Sequence, residues 1–137
     1  MSLETPRKKI LVIDDEEEIC DLMQGWLSHL NYDVITATDG ADGLWKAKTE
    51  KPDLIITDAL MPGKTGYELV DDLHGLSERM RTIPILMMSG RKSMRDISGK
   101  VAAFVDKPFE PRVMLQTIQE LLNRGNDSQT SSGAVKL

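Results

Sequence analysis

The sequence predicts an α/β fold: a (βα)5 doubly wound parallel sheet with helices on both faces. Five short apolar runs alternate with stretches whose apolar residues recur at helical spacing, which is the pattern of parallel strands joined by crossover helices. The fourth run, residues 83–88, is almost continuously apolar, as expected for a strand that is buried on both faces. In such sheets ligands bind at the carboxyl ends of the strands, so the residues that follow each run are the functional candidates.

The predicted strands cover residues 9–13, 33–37, 54–57, 83–88 and 102–105. A first helix is expected between the first two strands, where six apolar residues recur at helical spacing and acidic residues at the start suit the helix dipole: Ile19, Leu22, Met23, Trp26, Leu27 and Leu30. The second helix is predicted over residues 41–49. The third is predicted over residues 66–76, after the turn signal Pro62-Gly63.

The last two predicted helices differ in the strength of their patterns. Residues 91–98 have only Met94 and Ile97 as apolar anchors, so we expect a short or irregular fourth helix of at most about two turns. The fifth helix is predicted to begin at Pro111, since proline is well suited to the first position of a helix. Residues 124–137 are polar and Gly- and Ser-containing, which indicates a flexible tail or a truncated linker.

Length and composition favour one globular domain, residues 8–123, behind a polar N-terminal arm at residues 1–7. The net charge of −5 argues against direct binding of nucleic acid by this chain. The single cysteine, Cys20, cannot form an internal disulfide, which favours a reducing, cytoplasmic location. No apolar stretch is long enough to span a membrane, and the N-terminus lacks a signal-peptide pattern.

Charged residues follow three of the predicted strands. Asp14-Asp15 ends the first run, Asp58 the third, and Lys107 comes just after the fifth. Three carboxylates gathered at one edge would repel by about 4 kcal/mol per pair at ~4 Å and an effective dielectric of ~20. A divalent cation and the lysine would relieve that repulsion, so the pattern predicts an Mg²⁺-assisted phosphoryl site. Taken singly, each residue also fits an ordinary turn aspartate, a helix N-terminal acid or a surface lysine.

Four fragments in order, each at a predicted strand end, carry a more specific signal: residues 12–16 (VIDDE), 58–63 (DALMPG), 88–90 (MSG) and 107–109 (KPF). With them the chain resembles, from residue 8 to about 123, the receiver domain of response regulators in two-component signalling. The resemblance implies a flavodoxin-like strand order, 2-1-3-4-5, whose switch point lies between strands 1 and 3. The aspartates would meet at that point.

The resemblance also implies roles for individual residues. Asp58 would be the phosphoacceptor, a carboxylate nucleophile that forms an acyl phosphate. Asp14, Asp15 and Asp58 would bind Mg²⁺ together with the backbone carbonyl of Leu60, since Mg²⁺ prefers hard oxygen ligands. Lys107 would pair with Asp58 in the empty site and with a phosphoryl oxygen in the loaded one.

The remaining implied features concern switching and partners. The bond before Pro108 would be cis, Ser89 would supply the switch hydroxyl, and Phe104 the aromatic switch residue, although Phe104 could equally be core filling. A histidine kinase or histidine phosphotransfer protein would donate the phosphoryl group, and an effector domain or protein would respond. The domain would catalyse only its own phosphorylation and dephosphorylation.

Two other functions compete with this hypothesis. A phosphatase or phosphotransferase with an Asp-x-Asp motif would need an acid where Leu60 stands, and a receiver-shaped but inert interaction module would not need the complete set of site residues. The chain departs from the receiver pattern between Ser89 and Phe104, which are only fifteen positions apart, and in having Val101-Ala102-Ala103 where a Gly-Ala pair is usual. This departure leaves the expected chemistry intact and falls in the region from which, by the resemblance, the output surface is built.

Overall fold

The protein has a five-stranded parallel sheet at its centre, seen in a computed structural model that describes residues 6–90 and 99–126. The strands are β1 (Lys9–Ile13), β2 (Asp33–Ala37), β3 (Leu54–Asp58), β4 (Ile85–Ser89) and β5 (Ala103–Asp106). Their order is β2-β1-β3-β4-β5, and every neighbouring pair is parallel. The predicted fold class and strand order are therefore confirmed.

The described helices are α1 (Glu17–His29), α2 (Gly40–Glu50), α3 (Gly66–Leu76), α4 (Glu78–Arg81) and α5 (Pro111–Asn126). Side chains alternate across each strand, so the sheet supports two separate cores. Ile10 and Val12 face the core that α1 and α5 cover, whereas Leu11 and Ile13 face the core that α2 and α3 cover. Both sheet faces are thus occupied by helices, which leaves the edge at the carboxyl ends of the strands for a site.

Several boundaries differ from the sequence-based expectations. β4 begins at Ile85 rather than residue 83, and β5 is displaced by one residue to Ala103–Asp106. α4 was not predicted because four residues with one buried apolar side chain, Met80, show no helical periodicity. The helix expected over residues 91–98 lies outside the described residues. α5 extends through Asn126, three residues beyond the expected domain limit at position 123.

Local sequence explains how α3 is positioned behind the end of β3. Thr65 and Glu68 form a reciprocal capping box, in which the Thr65 hydroxyl accepts from the Glu68 N–H (3.1 Å) and the Glu68 carboxylate accepts from the Thr65 N–H (2.9 Å). Gly66 then donates its N–H to the carbonyl of Ala59 at 2.8 Å. A Cβ at position 66 would lie 2.2 Å from the carbonyl oxygen of Asp58, so only glycine permits this approach.

Within the described ranges, no helix has the length and apolar character needed to cross a membrane.

Candidate functional site

The carboxyl ends of β1 and β3 bring three aspartates together. The register pairs Ile13 with Thr57, so Asp14 and Asp58 follow the same rung of the ladder. Asp14, Asp15 and Asp58 each offer a carboxylate oxygen, and these oxygens lie within 4.8 Å of one another. Asp14 and Asp58 are buried, whereas Asp15 is exposed. The strand order therefore assembles the cluster that the sequence predicted.

The backbone N–H and both carboxylate oxygens of Asp14 are hydrogen-bonded. Its N–H donates to the carbonyl of Ala37 (3.1 Å), which fixes the backbone at the end of β1. Its Oδ1 accepts from the N–H of Glu16 (2.9 Å), and its Oδ2 accepts from Nζ of Lys107 (3.0 Å). A buried carboxylate with these partners is a fixed negative charge beneath the site.

Lys107 reaches the aspartates from the loop that follows β5. Its N–H donates to the carbonyl of Ser89 at 2.9 Å, and the Lys107–Pro108 peptide bond is cis, the isomer that the resemblance implied. Besides Asp14, its Nζ contacts Oε1 of Glu16 (3.4 Å) and Oδ2 of Asp58 (3.5 Å). Burial opposes the charged ammonium, but the hydrogen bond and charge of Asp14, with Asp58 and Glu16, outweigh it and raise the pKa of Lys107.

Asp58 is 7% exposed, and its environment resists a negative charge. Burial first, and then the charge of Asp14, raise the pKa of Asp58 from its ordinary value of 3.8 to about 6; Lys107 opposes this change and Asp15 adds to it. The cluster thus has more negative charge than one lysine neutralises. Carboxylate oxygens are the ligands that Mg²⁺ prefers, so this donor set fits a hard divalent cation.

Asp58 opens to solvent through a cavity of about 340 Å³, lined by Asp58, Leu60, Gly90 and Lys107. Leu60 stands two residues after Asp58, at the position where an Asp-x-Asp phosphatase would need its second acid. Its apolar side chain is exposed. A larger cavity, about 600 Å³, lies by the opposite edge of the sheet, near Tyr32 and Leu122. The smaller cavity is the functional candidate, because it lies at the carboxyl ends of the strands and is lined by Asp58, one of the clustered carboxylates, and by Lys107.

The two predicted switch residues lie on β4, which neighbours β3, and on β5, the next strand outward. Ser89 is buried at the end of β4, one residue beyond Met88, the register partner of Asp58. Phe104 lies on β5 and is 44% exposed, so its side chain does not fill the core in this structure. Ser89 therefore lies at the same end of the sheet as the aspartates, whereas Phe104 is exposed on β5, the outermost strand.

One residue at the site was not predicted. Glu16 is one of the acidic residues expected at the start of the first helix, and it occupies the N-cap position of α1, but its side chain also contacts Lys107. Its place directly after the acid pair was the available signal. The spacing alone could not show that a lysine 91 residues later would lie within reach.

Comparison with known proteins gives a consistent result. Residues 10–119 match the response regulator receiver domain family. The chain is 40% identical over 129 residues to the alkaline phosphatase synthesis transcriptional regulatory protein PhoP of Bacillus subtilis, covering 91% of this chain and 52% of PhoP. It is 32% identical over 137 residues to the probable transcriptional regulator ycf27 of Cyanophora paradoxa, covering 95% and 54%. The chain thus spans about half the length of these curated relatives.

Solved structures agree with the sequence relatives. The chemotaxis response regulator CheY4 of Vibrio cholerae superposes with a TM-score of 0.76 at 30% identity, covering 85% of this chain and 99% of CheY4. A putative response regulator from Chloroflexus aurantiacus also gives 0.76, at 28% identity, covering 87% and 100%. Fold, acidic cluster and relatives converge on one conclusion. The chain belongs to the response-regulator family, and it contains a phosphorylation-activated receiver domain of two-component signalling.

Proposed function

We propose that Asp58 is the residue that accepts the phosphoryl group, and that Asp14, Asp15, Asp58 and the backbone carbonyl of Leu60 hold Mg²⁺. The observation that carries this proposal is the position of the Asp58 carboxylate. It lies beside two further carboxylates, 3.5 Å from the Lys107 ammonium, and it lines a cavity that is open to solvent. A nucleophile needs such access, while the surrounding charges stabilise the group that it receives.

The transfer requires an activated donor, for which we propose the phosphohistidine of a histidine kinase or histidine phosphotransfer protein. A carboxylate oxygen of Asp58 attacks the phosphorus, a P–O bond forms, and the P–N bond to the imidazole breaks with its electron pair leaving on nitrogen. When bound, Mg²⁺ supplies positive charge that keeps Asp58 ionised and offsets the charge of the transferring oxygens. Asp14, buried and fully bonded, keeps the nucleophile's surroundings rigid.

The residues around Asp58 would then respond to its new charge. A phosphoryl group adds roughly −1.5 to −2 charges and three strong acceptor oxygens. The Lys107 ammonium would exchange its carboxylate partners for a phosphoryl oxygen, and the Ser89 hydroxyl would donate to another. Because β5 follows β4 at the edge of the sheet, movement at Ser89 would alter the surface around Phe104. A local electrostatic event would thus change an exposed output surface.

Partners and setting follow as further parts of the proposal. The curated relatives are about twice as long and are named as transcriptional regulators, so an effector domain or protein would read the Phe104 surface. The receiver itself would catalyse only its own phosphorylation and dephosphorylation, without contacting nucleic acid or a membrane. We infer a cytoplasmic setting, since transcriptional regulators act where the chromosome is.

The test is phosphorylation of the intact chain by a small-molecule phosphodonor, acetyl phosphate, with Mg²⁺. Wild type is expected to gain one phosphoryl group by intact-mass measurement, and Asp58→Asn is expected to gain none. Asp21→Asn is the matched control, because it removes an exposed carboxylate from α1 without touching the site. Equal incorporation in wild type and Asp58→Asn, or none in either, would overturn the assignment.

A further inference from the structure

The hydrogen bonds of Lys107 are not directed at the proposed phosphoacceptor. Its Nζ donates to Asp14 at 3.0 Å and to Glu16 at 3.4 Å, and its distance to Asp58, 3.5 Å, is the longest of the three. The ammonium is thus displaced toward the β1 side of the site. Glu16 is the outermost of the three carboxylates, 60% exposed at its side chain, whereas the Lys107 side chain is 17% exposed.

Glu16, Asp14 and Lys107 form a closed ring of contacts. The backbone N–H of Glu16 donates to Oδ1 of Asp14, and Lys107 donates to Oδ2 of the same carboxylate. The Glu16 side chain completes the ring by accepting from Lys107. The backbone of Glu16 occupies the N-cap position of α1. Its position is therefore fixed, and this keeps the Glu16 carboxylate close to the Lys107 ammonium.

We propose that Glu16 is a positioning residue for phosphoryl transfer: in the resting protein it holds Lys107 on Asp14 and so leaves the Asp58 carboxylate available to the cation and the phosphodonor. This inference rests on the proposed role of Asp58. Without the charge of Glu16, the ammonium is attracted mainly by Asp14 and Asp58 and moves toward Asp58. The cation, which shares Asp14 with the ammonium in the wild type, must then also displace or tolerate that positive charge at Asp58, the proposed nucleophile.

The expected effect is modest because Glu16 is exposed. A solvent-exposed ion pair changes an equilibrium constant by about 1.4- to 5-fold. Removing any nearby negative charge also weakens cation binding directly, whether or not Lys107 takes part. A double-mutant cycle separates the two effects, since only the indirect one requires the lysine.

The experiment measures the Mg²⁺ dissociation constant of the intact chain by amide chemical shifts in NMR titrations. Four proteins form the cycle: wild type, Glu16→Gln, Lys107→Ala and the double variant. Glu16→Gln is expected to raise the Mg²⁺ dissociation constant in both backgrounds. The ratio of variant to parent should be about three times larger in wild type than in Lys107→Ala. Glu17→Gln is the matched control, because it removes the same charge one residue along the chain, and it should weaken binding equally in both backgrounds.

A second measurement reports on Lys107 directly. In metal-free protein, the side-chain ¹⁵Nζ resonance of Lys107 should change in Glu16→Gln and stay in place in Glu17→Gln. Equal factors in both backgrounds, or an unchanged resonance, would overturn the proposal. If Lys107→Ala does not fold, Lys107→Met replaces it in the cycle. Acetyl phosphate labelling of wild type separates the role of Glu16 from the role of Asp58. If Asp58 is labelled but Glu16→Gln weakens Mg²⁺ binding equally in both backgrounds, only the role of Glu16 is refuted.

Discussion

Replacing Asp58 by asparagine should stabilise the metal-free protein, although it removes the proposed phosphoacceptor. The pKa of Asp58 is raised from 3.8 to about 6, so the folded protein holds its proton more tightly than the unfolded chain. Folding stability therefore falls as the pH rises from about 4 to about 6, and the whole penalty is present above that range. At about 1.36 kcal/mol for each pKa unit between 3.8 and about 6, the penalty is at most about 3 kcal/mol.

The expected gain for Asp58→Asn at pH 7.5 is about 1–3 kcal/mol in the free energy of unfolding, because asparagine has a similar shape and no charge. Urea denaturation in the presence of a chelator measures it. The control Asp21→Asn should differ from wild type by less than about 0.5 kcal/mol. At pH 4, where Asp58 is protonated in the folded state, the advantage should nearly disappear. Mg²⁺ should also reduce it, since a cation bound at the proposed site would stabilise the folded wild type.

A result in the opposite direction would refute the reasoning. If Asp58→Asn is no more stable than wild type at pH 7.5 without metal, burial and carboxylate repulsion do not dominate the energetics of the site. The attraction of Lys107 for Asp58 would then outweigh both.

Three further predictions address the cation, the backbone and the buried thiol. Mg²⁺ affinity should fall as the pH drops through about 6, because protons compete for Asp58; calorimetric titrations between pH 5 and 8 would show it, and a pH-independent affinity would contradict it. Gly66→Ala should destabilise the protein by several kcal/mol in thermal or urea unfolding, because the added Cβ would lie 2.2 Å from the Asp58 carbonyl oxygen. Gly25 is the control: it lies in the middle of α1 and a Cβ there would have nothing within 4 Å, so Gly25→Ala should stabilise the protein by roughly 0.5–1 kcal/mol. Equal effects would show that the close approach is not needed. Burial raises the pKa of the Cys20 thiol to about 11, so iodoacetamide at pH 8 should modify the native protein at least about 100-fold more slowly than the urea-unfolded one, as followed by mass spectrometry.

The parts of the fold that the sequence predicted well are those with strong periodic patterns. β1 and β2 begin and end at the expected residues, and so does α3, where the Pro62-Gly63 turn and the Thr65 capping box mark the start. α4 escaped prediction because a single turn has no period to detect. The beginning of β4 was misplaced because Ile83 and Pro84 extend its apolar run without joining the strand.

The site was predictable to the extent that it depends on strand ends. Asp14, Asp15, Asp58 and Lys107 each adjoin the end of a strand, and parallel pairing necessarily brings those ends to one edge. The contact of Glu16 with Lys107 was not predictable, because it depends on side-chain reach across the site rather than on position along the chain. The exposure of Phe104, by contrast, agrees with the predicted strand order, which places β5 at the outside of the sheet.

The hydrogen bond from the Lys107 N–H to the Ser89 carbonyl joins two residues that we expect to respond to phosphorylation. It runs between peptide groups, so it survives replacement of either side chain. Single substitutions at 89 or 107 should consequently remove the function of a side chain while the backbone hydrogen bond between the two residues stays intact. Proline at 107, which has no N–H to donate, would remove that bond while leaving the pairing of Ser89 with Asp106 between the two strands in place.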